Sequence, residues 1–262
     1  CLVETYPAKH DSYEDYLRTL KIAYLYGKTV TLVNTHWPET NAIMLKNRRI
    51  GLSQSGVVQA FAKHGKRELY NWCDNAYEHV QKLDAEYSDW LCVPRSVRMT
   101  SIKPSGTVSL LNGSTPGIHF PESEYYIRRI RFSNSSKLLP FLVAAGYKTE
   151  KDEYSPNTTC VEFPVKEPYY VKSKKEVSMW EQLEIAAQYQ HYWADNSVSI
   201  TVTFNDEEAP NLKSALEMYE TRLKAVSFLK YNDTGYKQAP YEPITKEEYE
   251  AMTANITPVV KI

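Results

Sequence analysis

Residues 101–121 read SIKPSGTVSLLNGSTPGIHFP, and this stretch decides how the rest is understood. A β-branched, apolar lead-in over 97–102 runs into Pro104-Ser105-Gly106-Thr107. A short apolar run, Val108 to Leu111, comes next, and then a loop rich in glycine, proline and asparagine. That order predicts a strand, a tight turn and a helix start. The turn carries two hydroxyls, Ser105 and Thr107, and a glycine that lets a ligand approach the main chain. Free backbone N–H groups at a helix start, with hydroxyls beside them, suit an anion. The spacing fits neither GxxxxGK[ST] nor GxGxxG. The residues alone therefore leave two readings open: a phosphate cradle, or a capped helix after a buried strand, since serine and threonine favour such caps anyway.

Composition narrows the class. A chain of 262 residues fits one large domain or two small ones. No Gly/Ser-rich linker divides it, so a single domain over 1–262 is expected. Hydrophobic residues at 42% and charged residues at 24% suit a soluble globular protein with a sizeable core. A net charge of −1 supplies no field to draw the chain to nucleic acid or to a membrane surface. No apolar run approaches the roughly 18 residues of a membrane span, and no signal peptide is present. The 21 tyrosines suggest packed rings with hydroxyls reaching polar partners. The four cysteines form no CxxC pair, no HExxH occurs, and the six histidines are scattered. No metal site is expected, and the cysteine usage points to a reducing compartment, hence the cytoplasm.

Alternating elements predict an α/β architecture with partly parallel strands. Helices are expected over 11–28, where Ser12 caps and Asp15 lies three residues on; over 67–87; behind a Ser178/Glu181 capping box; over 213–224; and after Thr245, with Glu248 closing the box. A short helix over 140–146 ends at Gly146. Strands are expected over 158–165, 197–204 and 226–229. Trp37-Pro38 breaks the pattern. Residues 48–56, RRIGLSQSG, read as a turn or helix start whose glycines allow close approach, and 232–243 is the most loop-like segment.

At 101–121 the sequence resembles the catalytic subunit of ribonucleotide reductases, most closely the monomeric, adenosylcobalamin-dependent (class II) ribonucleoside-triphosphate reductases. LVETYP at 2–7, NRRIGL at 47–52, EYYIRRIRF at 124–132, WADNSVSITVTF at 193–204 and 226–243, with GYKQAP at 235–240, are similar in the same order. The resemblance implies a ten-stranded α/β barrel of two five-stranded halves, of which this chain supplies mostly the second. It implies reduction of the ribose 2′-carbon through a cysteine thiyl radical, with a carboxylate as base and a cysteine pair as reductant. Adenosylcobalamin is the implied cofactor. A ribonucleoside triphosphate, a thioredoxin-like reductant and the remainder of the reductase chain are the implied partners.

The resemblance also assigns residues. Pro104, Ser105, Gly106, Thr107, Val108 and Ser109 hold the substrate phosphates, with the N–H groups of 105–108 and the hydroxyls of Ser105, Thr107 and Ser109 as donors. Residues 115–121 line the same mouth or the cofactor side, or are simply loop packing. Cys1 is a reducing cysteine or its neighbour. The family's Asn-Pro-Cys-x-Glu loop and its C-terminal cysteine pair are absent, so this polypeptide by itself is not expected to turn over. Its first residue is Cys rather than Met, which suits an excised segment or a splicing junction. Cys73, Cys92 and Cys160 are expected to be small buried apolar residues. Arg48-Arg49 and Arg128-Arg129-Arg131 belong to exposed faces or internal ion pairs rather than to phosphate, and no catalytic role is expected of His119. Two rival readings remain: a class I large subunit, or a non-catalytic nucleotide-phosphate binding module.

Overall fold

The computed structural model describes residues 1–231 and 237–257. Its first elements are β1 (Leu2–Thr5), α1 (Tyr13–Val30), α2 (Pro38–Asn47), β2 (Gly51–Gln54), α3 (Val57–His64), α4 (Lys66–Trp90) and the single turn α5 (Val108–Leu111). β3 (Tyr125–Ser133), α6 (Leu139–Ala144), β4 (Thr149–Lys151) and β5 (Thr158–Lys166) follow. The chain closes with α7 (Met179–Tyr192), β6 (Thr201–Phe204), α8 (Leu212–Tyr219), β7 (Ser227–Lys230), β8 (Tyr241–Pro243) and α9 (Lys246–Thr253).

These elements form two compact units. The first holds 1–120 and 177–231; the second holds 121–176 and the described part of 232–262. The lack of a Gly/Ser-rich linker, on which the single-domain expectation rests, does not reveal this division. The chain passes between units without any spacer long enough to bias composition. Gly235 and Tyr236 of the GYKQAP segment, and with them 232–234 of the loop expected over 232–243, lie outside the described residues.

The first unit is built on a parallel ladder. β1 pairs with β2, Leu2 opposite Gly51 through Thr5 opposite Gln54. Leu52 bridges Thr100 and Ile102 bridges Val198, both in parallel. Ser101 donates to the Leu52 carbonyl at 3.0 Å and Ser199 to the Ile102 carbonyl at 2.9 Å. β6 then pairs in parallel with β7, Thr201 opposite Ser227. Five parallel runs thus lie side by side in sequence order: β1, β2, 100–102, 198–204 and β7. This is the five-stranded half that the family resemblance implies.

Helices return the chain between these runs and cover one face. Ser12 Oγ caps α1 by accepting the Asp15 N–H at 3.2 Å. Tyr16, Leu20 and Tyr24 recur on one side of α1 and are fully buried, as are Leu69, Cys73, Ala76 and Val80 of α4. Between these helices Lys28 Nζ meets Asp84 Oδ1 at 2.7 Å, and the Tyr24 hydroxyl donates to the same oxygen at 2.8 Å. A buried pair needs such added bonds to offset its desolvation. Thr5 and Gln54 point to this helical side: Thr5 Oγ1 lies 3.2 Å from the Tyr16 hydroxyl, and Gln54 Oε1 accepts from Tyr189 of α7 at 3.2 Å. Strand alternation therefore places Leu2, Glu4, Gly51 and Ser53 on the opposite face. Gly51 fits the close approach read from the sequence: a Cβ there would come within 2.6 Å of Leu2 Cδ2 and 3.3 Å of Ser101 Cβ.

The second unit is an antiparallel sheet in the order β4-β5-β3-β8. β3 and β5 pair over nine residues, Tyr125 opposite Lys166 through Ser133 opposite Thr158. α9 packs on them behind the expected Thr245/Glu248 capping box. Arg129 and Arg131 are in internal ion pairs, one of the two places expected for them. Arg129 Nη2 lies 2.9 Å from buried Glu162 and Arg129 Nη1 2.5 Å from Glu242, while Arg131 Nε lies 3.0 Å from Asp152. Arg128 stacks over Tyr241 at 4.4 Å.

Candidate phosphate-binding site

The loop after residues 100–102 leaves the carboxyl end of the central run of the ladder. In open and closed parallel α/β sheets this end is where ligands bind. The run itself is clamped from the WADN segment. The Asp195 carboxylate accepts the N–H groups of Met99 at 2.9 Å and Thr100 at 2.9 Å. Trp193 Nε1 donates to the Ser101 carbonyl at 3.0 Å. Asn196 Nδ2 donates to the carbonyls of Ile50 at 3.0 Å and Thr100 at 2.7 Å, tying β2 to the same run. From NRRIGL, Arg49 reaches Asn196 Oδ1 at 3.2 Å, and buried Arg48 donates to the Thr31 carbonyl at 2.6 Å. Two of the segments that carry the family likeness thus act as a frame. Among the described residues neither arginine is spent on an internal ion pair; both bind oxygen atoms that carry no net charge.

Within the loop, the Ser105 N–H turns back onto the Lys103 carbonyl at 2.9 Å and the Gly106 N–H onto the Pro104 carbonyl at 2.8 Å. That narrows the expected donor set. The N–H groups of Thr107 and Val108 have no backbone acceptor among the described residues. The hydroxyls of half-buried Ser105 and exposed Thr107 likewise have none. Ser109 differs from expectation: its side chain is fully buried and its Oγ has no partner. The Ser114 and Thr115 hydroxyls share that condition. Because α5 is one turn long, its dipole adds little; individual N–H groups and hydroxyls are what the loop offers. The Tyr6 hydroxyl donates to the Val108 carbonyl at 3.0 Å, holding α5 against the chain that follows β1.

The two ends of the loop meet. Gly117 has φ 54°, and a Cβ there would lie 2.7 Å from the Lys103 carbonyl oxygen, so this closure demands glycine. The Lys103 N–H donates to Ser53 Oγ at 3.0 Å and the Gly117 N–H to Ser55 Oγ at 3.0 Å. Both serine hydroxyls donate onward to one atom, Glu4 Oε1, at 3.2 and 2.5 Å. Burial pushes the Glu4 carboxyl up to about 7, against the opposing pull of the two hydroxyls. None of these three residues is suggested by the sequence reading. The signal available was Ser53 of the β2 strand and Ser55 of the turn after it, both bonded to Glu4 on β1, but it requires the β1–β2 register to interpret.

His119 is spoken for on both sides. Its Nδ1 sits 3.0 Å from the Pro116 carbonyl, and its Nε2 accepts the Thr201 N–H at 3.1 Å. These partners require the neutral ring with its proton on Nδ1, in line with a pKa lowered by burial.

Cys1 is exposed at the amino end of β1, with its amino group on the Arg49 carbonyl at 3.1 Å. Four strand residues separate it from the end that carries the loop, about 13 Å. The structure thus does not bring Cys1 against Ser105 or Thr107. Cys73 and Cys160 are buried, and burial pushes the Cys73 thiol up to about 12. Cys92 departs from the expected burial: it is exposed at the turn ending α4, with φ 53°. Among the described residues no group of three or more His, Cys, Asp or Glu side chains could hold a metal ion.

Over 99% of its length the chain is 51% identical to a probable adenosylcobalamin-dependent ribonucleoside-triphosphate reductase of Dictyostelium discoideum, and over 95% it is 49% identical to the adenosylcobalamin-dependent enzyme of Euglena gracilis. A crystal structure of a B12-dependent (class II) ribonucleotide reductase superposes on 99% of the chain with TM-score 0.89 and 37% identity. The chain belongs to the class II ribonucleotide reductases. It spans about a third of the length of its curated relatives, 35% of each of the first two, and 40% of the crystallised class II chain. The α subunit of an Actinobacillus ureae class Id ribonucleotide reductase, at 16% identity and TM-score 0.61, shares the fold. No protein-family profile matches the chain. Within the class II reductases, the ladder of the first unit is a share of the catalytic α/β barrel, and the loop over 103–117 caps its central run.

Proposed function

We propose that the protein containing this chain reduces ribonucleoside triphosphates to 2′-deoxyribonucleoside triphosphates, and that residues 104–109 hold the triphosphate. One observation carries the reading. A loop with two free N–H groups and two free hydroxyls stands at the carboxyl end of a parallel ladder shared with class II reductases. Thr107 and Val108 N–H, with the Ser105 and Thr107 hydroxyls, are the neutral donors this loop offers an anion; such donors bind phosphate oxygen without a fixed counter-charge.

The chemistry is divided by position. Holding the phosphates at the carboxyl end fixes the ribose at a set distance toward the amino end of β1, where Cys1 or its neighbour contributes to the reducing pair. Fixing the ribose relative to a thiol is an orientation effect. Adenosylcobalamin, specified by the relatives' names, would when bound supply the radical that starts the reaction. Both nitrogens of His119 are engaged, so ligation of cobalt does not fall to the histidine of this loop. A thioredoxin-like dithiol and the remainder of the reductase chain are the proposed partners. Four free thiols and no helix able to cross a membrane among the described residues accord with a cytoplasmic site of action.

The experiment is deoxynucleotide formation from CTP by the full-length protein with adenosylcobalamin and a dithiol, without a second protein. Ser105→Ala with Thr107→Val is expected to raise KM by about a hundredfold at little cost in kcat, since two neutral hydrogen bonds to an anion are lost. Product formed only after a separate radical-generating subunit is added would overturn the reading that adenosylcobalamin alone starts the reaction, and leave the fold assignment intact.

A further inference from the structure

We infer that Glu4 is the positioning residue of the phosphate loop, holding both of its ends through Ser53 and Ser55. The inference rests on reading residues 104–109 as the triphosphate site. The loop leaves the ladder at Lys103 and returns at Gly117. Each of these residues gives its backbone N–H to a serine of the β2 strand or the turn after it, Ser53 for Lys103 and Ser55 for Gly117, at 3.0 Å in both cases. A serine that accepts in this way has one proton left to place. Both protons go to Glu4 Oε1.

The direction of every bond is set by chemistry. A backbone N–H can only donate, so each hydroxyl must accept there and donate elsewhere. Ser53 and Ser55 are fully buried, so a hydroxyl without its acceptor would turn away from the loop or stay unsatisfied. One carboxylate oxygen thereby fixes two rotors, and the two rotors fix the loop's start and finish. Glu4 touches neither loop end directly. Its effect on phosphate is transmitted, which distinguishes it from the donors at Ser105 and Thr107.

An amide oxygen at the same place accepts equally well, whereas a methyl group accepts nothing. This gives the test, made in the full-length protein with two readouts: steady-state reduction of CTP, and the dissociation constant for inorganic tripolyphosphate. Glu4→Ala is expected to raise both KM and the tripolyphosphate constant about tenfold, with kcat within about twofold. Glu4→Gln is expected to stay within about threefold of the parent. In a Ser53→Ala/Ser55→Ala background, Glu4→Ala is expected to add nothing, because the path it acts through is gone.

A full additional loss in that background, or a fall in kcat at unchanged KM, overturns the inference. Should Glu4→Ala fail to fold, Ser55→Ala carries the same expectation for tripolyphosphate, because it frees the Gly117 end alone; unchanged binding in Ser55→Ala then overturns it. Thr107→Val separates the two levels. If it weakens tripolyphosphate while Glu4→Ala does not, the positioning role fails and the phosphate site stands. If neither variant changes binding, the phosphate site itself is wrong.

Discussion

Asp195 and Thr100 are joined in both directions. The Asp195 carboxylate accepts the Thr100 N–H at 2.9 Å and its hydroxyl at 3.1 Å, and the Asp195 N–H donates to Thr100 Oγ1 at 3.0 Å. The same carboxylate takes the Met99 N–H. Replacing it strands two backbone donors at the root of the phosphate loop. Asp195→Ala is expected to lower unfolding stability by about 3 kcal/mol, and Asp195→Asn by roughly half as much, since one amide oxygen still accepts. Urea unfolding at constant m reads this out directly. An Asp195→Ala midpoint within error of the parent would show the clamp to be idle.

Gly117→Ala probes the closure of the loop. The new methyl group would meet the Lys103 carbonyl oxygen at 2.7 Å in a left-handed backbone. The strain is expected to cost about 1–3 kcal/mol and to loosen tripolyphosphate binding along with it. Gly113→Ala is the control. Its backbone is also left-handed, but nothing lies within 4 Å of the added carbon. It is expected to cost less than Gly117→Ala, and equal losses would rule out close approach as the cause.

Glu4 gives stability a pH dependence of known sign. Its carboxyl is raised from 4.5 to about 7 in the folded chain. Between those values the folded state binds more protons than the unfolded state, so stability falls as pH rises. The contribution is complete below about pH 4.5 and gone above about pH 7. Measured against Glu4→Gln, which stays neutral throughout, the parent is expected to lose urea midpoint steadily from pH 5 to 7 and then to run parallel. A flat difference over that window would mean that Glu4 is already ionised at pH 5.

Arg129 organises the second unit. It is buried against Glu162 and also meets Glu150 at 3.4 Å and Glu242. Arg129→Met removes the cation and leaves Glu162 buried, with only Lys148 at 3.0 Å. Breaking one side of such a pair is expected to cost on the order of 3 kcal/mol. Double replacement with Glu162→Leu should recover most of it. Equal destabilisation of the single and double variants in thermal unfolding would contradict this account.

Helical periodicity and capping made the helices of both units legible. Ser12/Asp15 and the stripe on α4 in the first unit, and the Thr245/Glu248 box in the second, each name a helix from a few neighbouring residues, because helical contacts are local. β2 escaped notice. Gly51 and Ser53 put a hydrogen and a hydroxyl on one of its faces, which erases the apolar alternation a strand is recognised by. β3 was hidden by Arg128, Arg129 and Arg131; the partners that satisfy them are distant in sequence, Glu242 standing 113 residues from Arg129 and Tyr241, under Arg128, equally far from it. The loop at 104–109 announced itself by composition. Glu4 did not, since its serine partners stand 49 and 51 residues along the chain and only the parallel β1–β2 register brings them together.

The parallel ladder begins at β1 and ends at β7, and among the described residues neither has a strand on its outer side. Each flank of the ladder therefore carries an edge that no strand among the described residues pairs. Such flanks are adhesive, and they recruit whatever extended chain arrives first. Expressed without the rest of the reductase, the polypeptide is expected to form ribbons or inclusion bodies by stacking copies flank to flank. Solubility of the isolated polypeptide is thus expected to improve when an added chain covers both flanks.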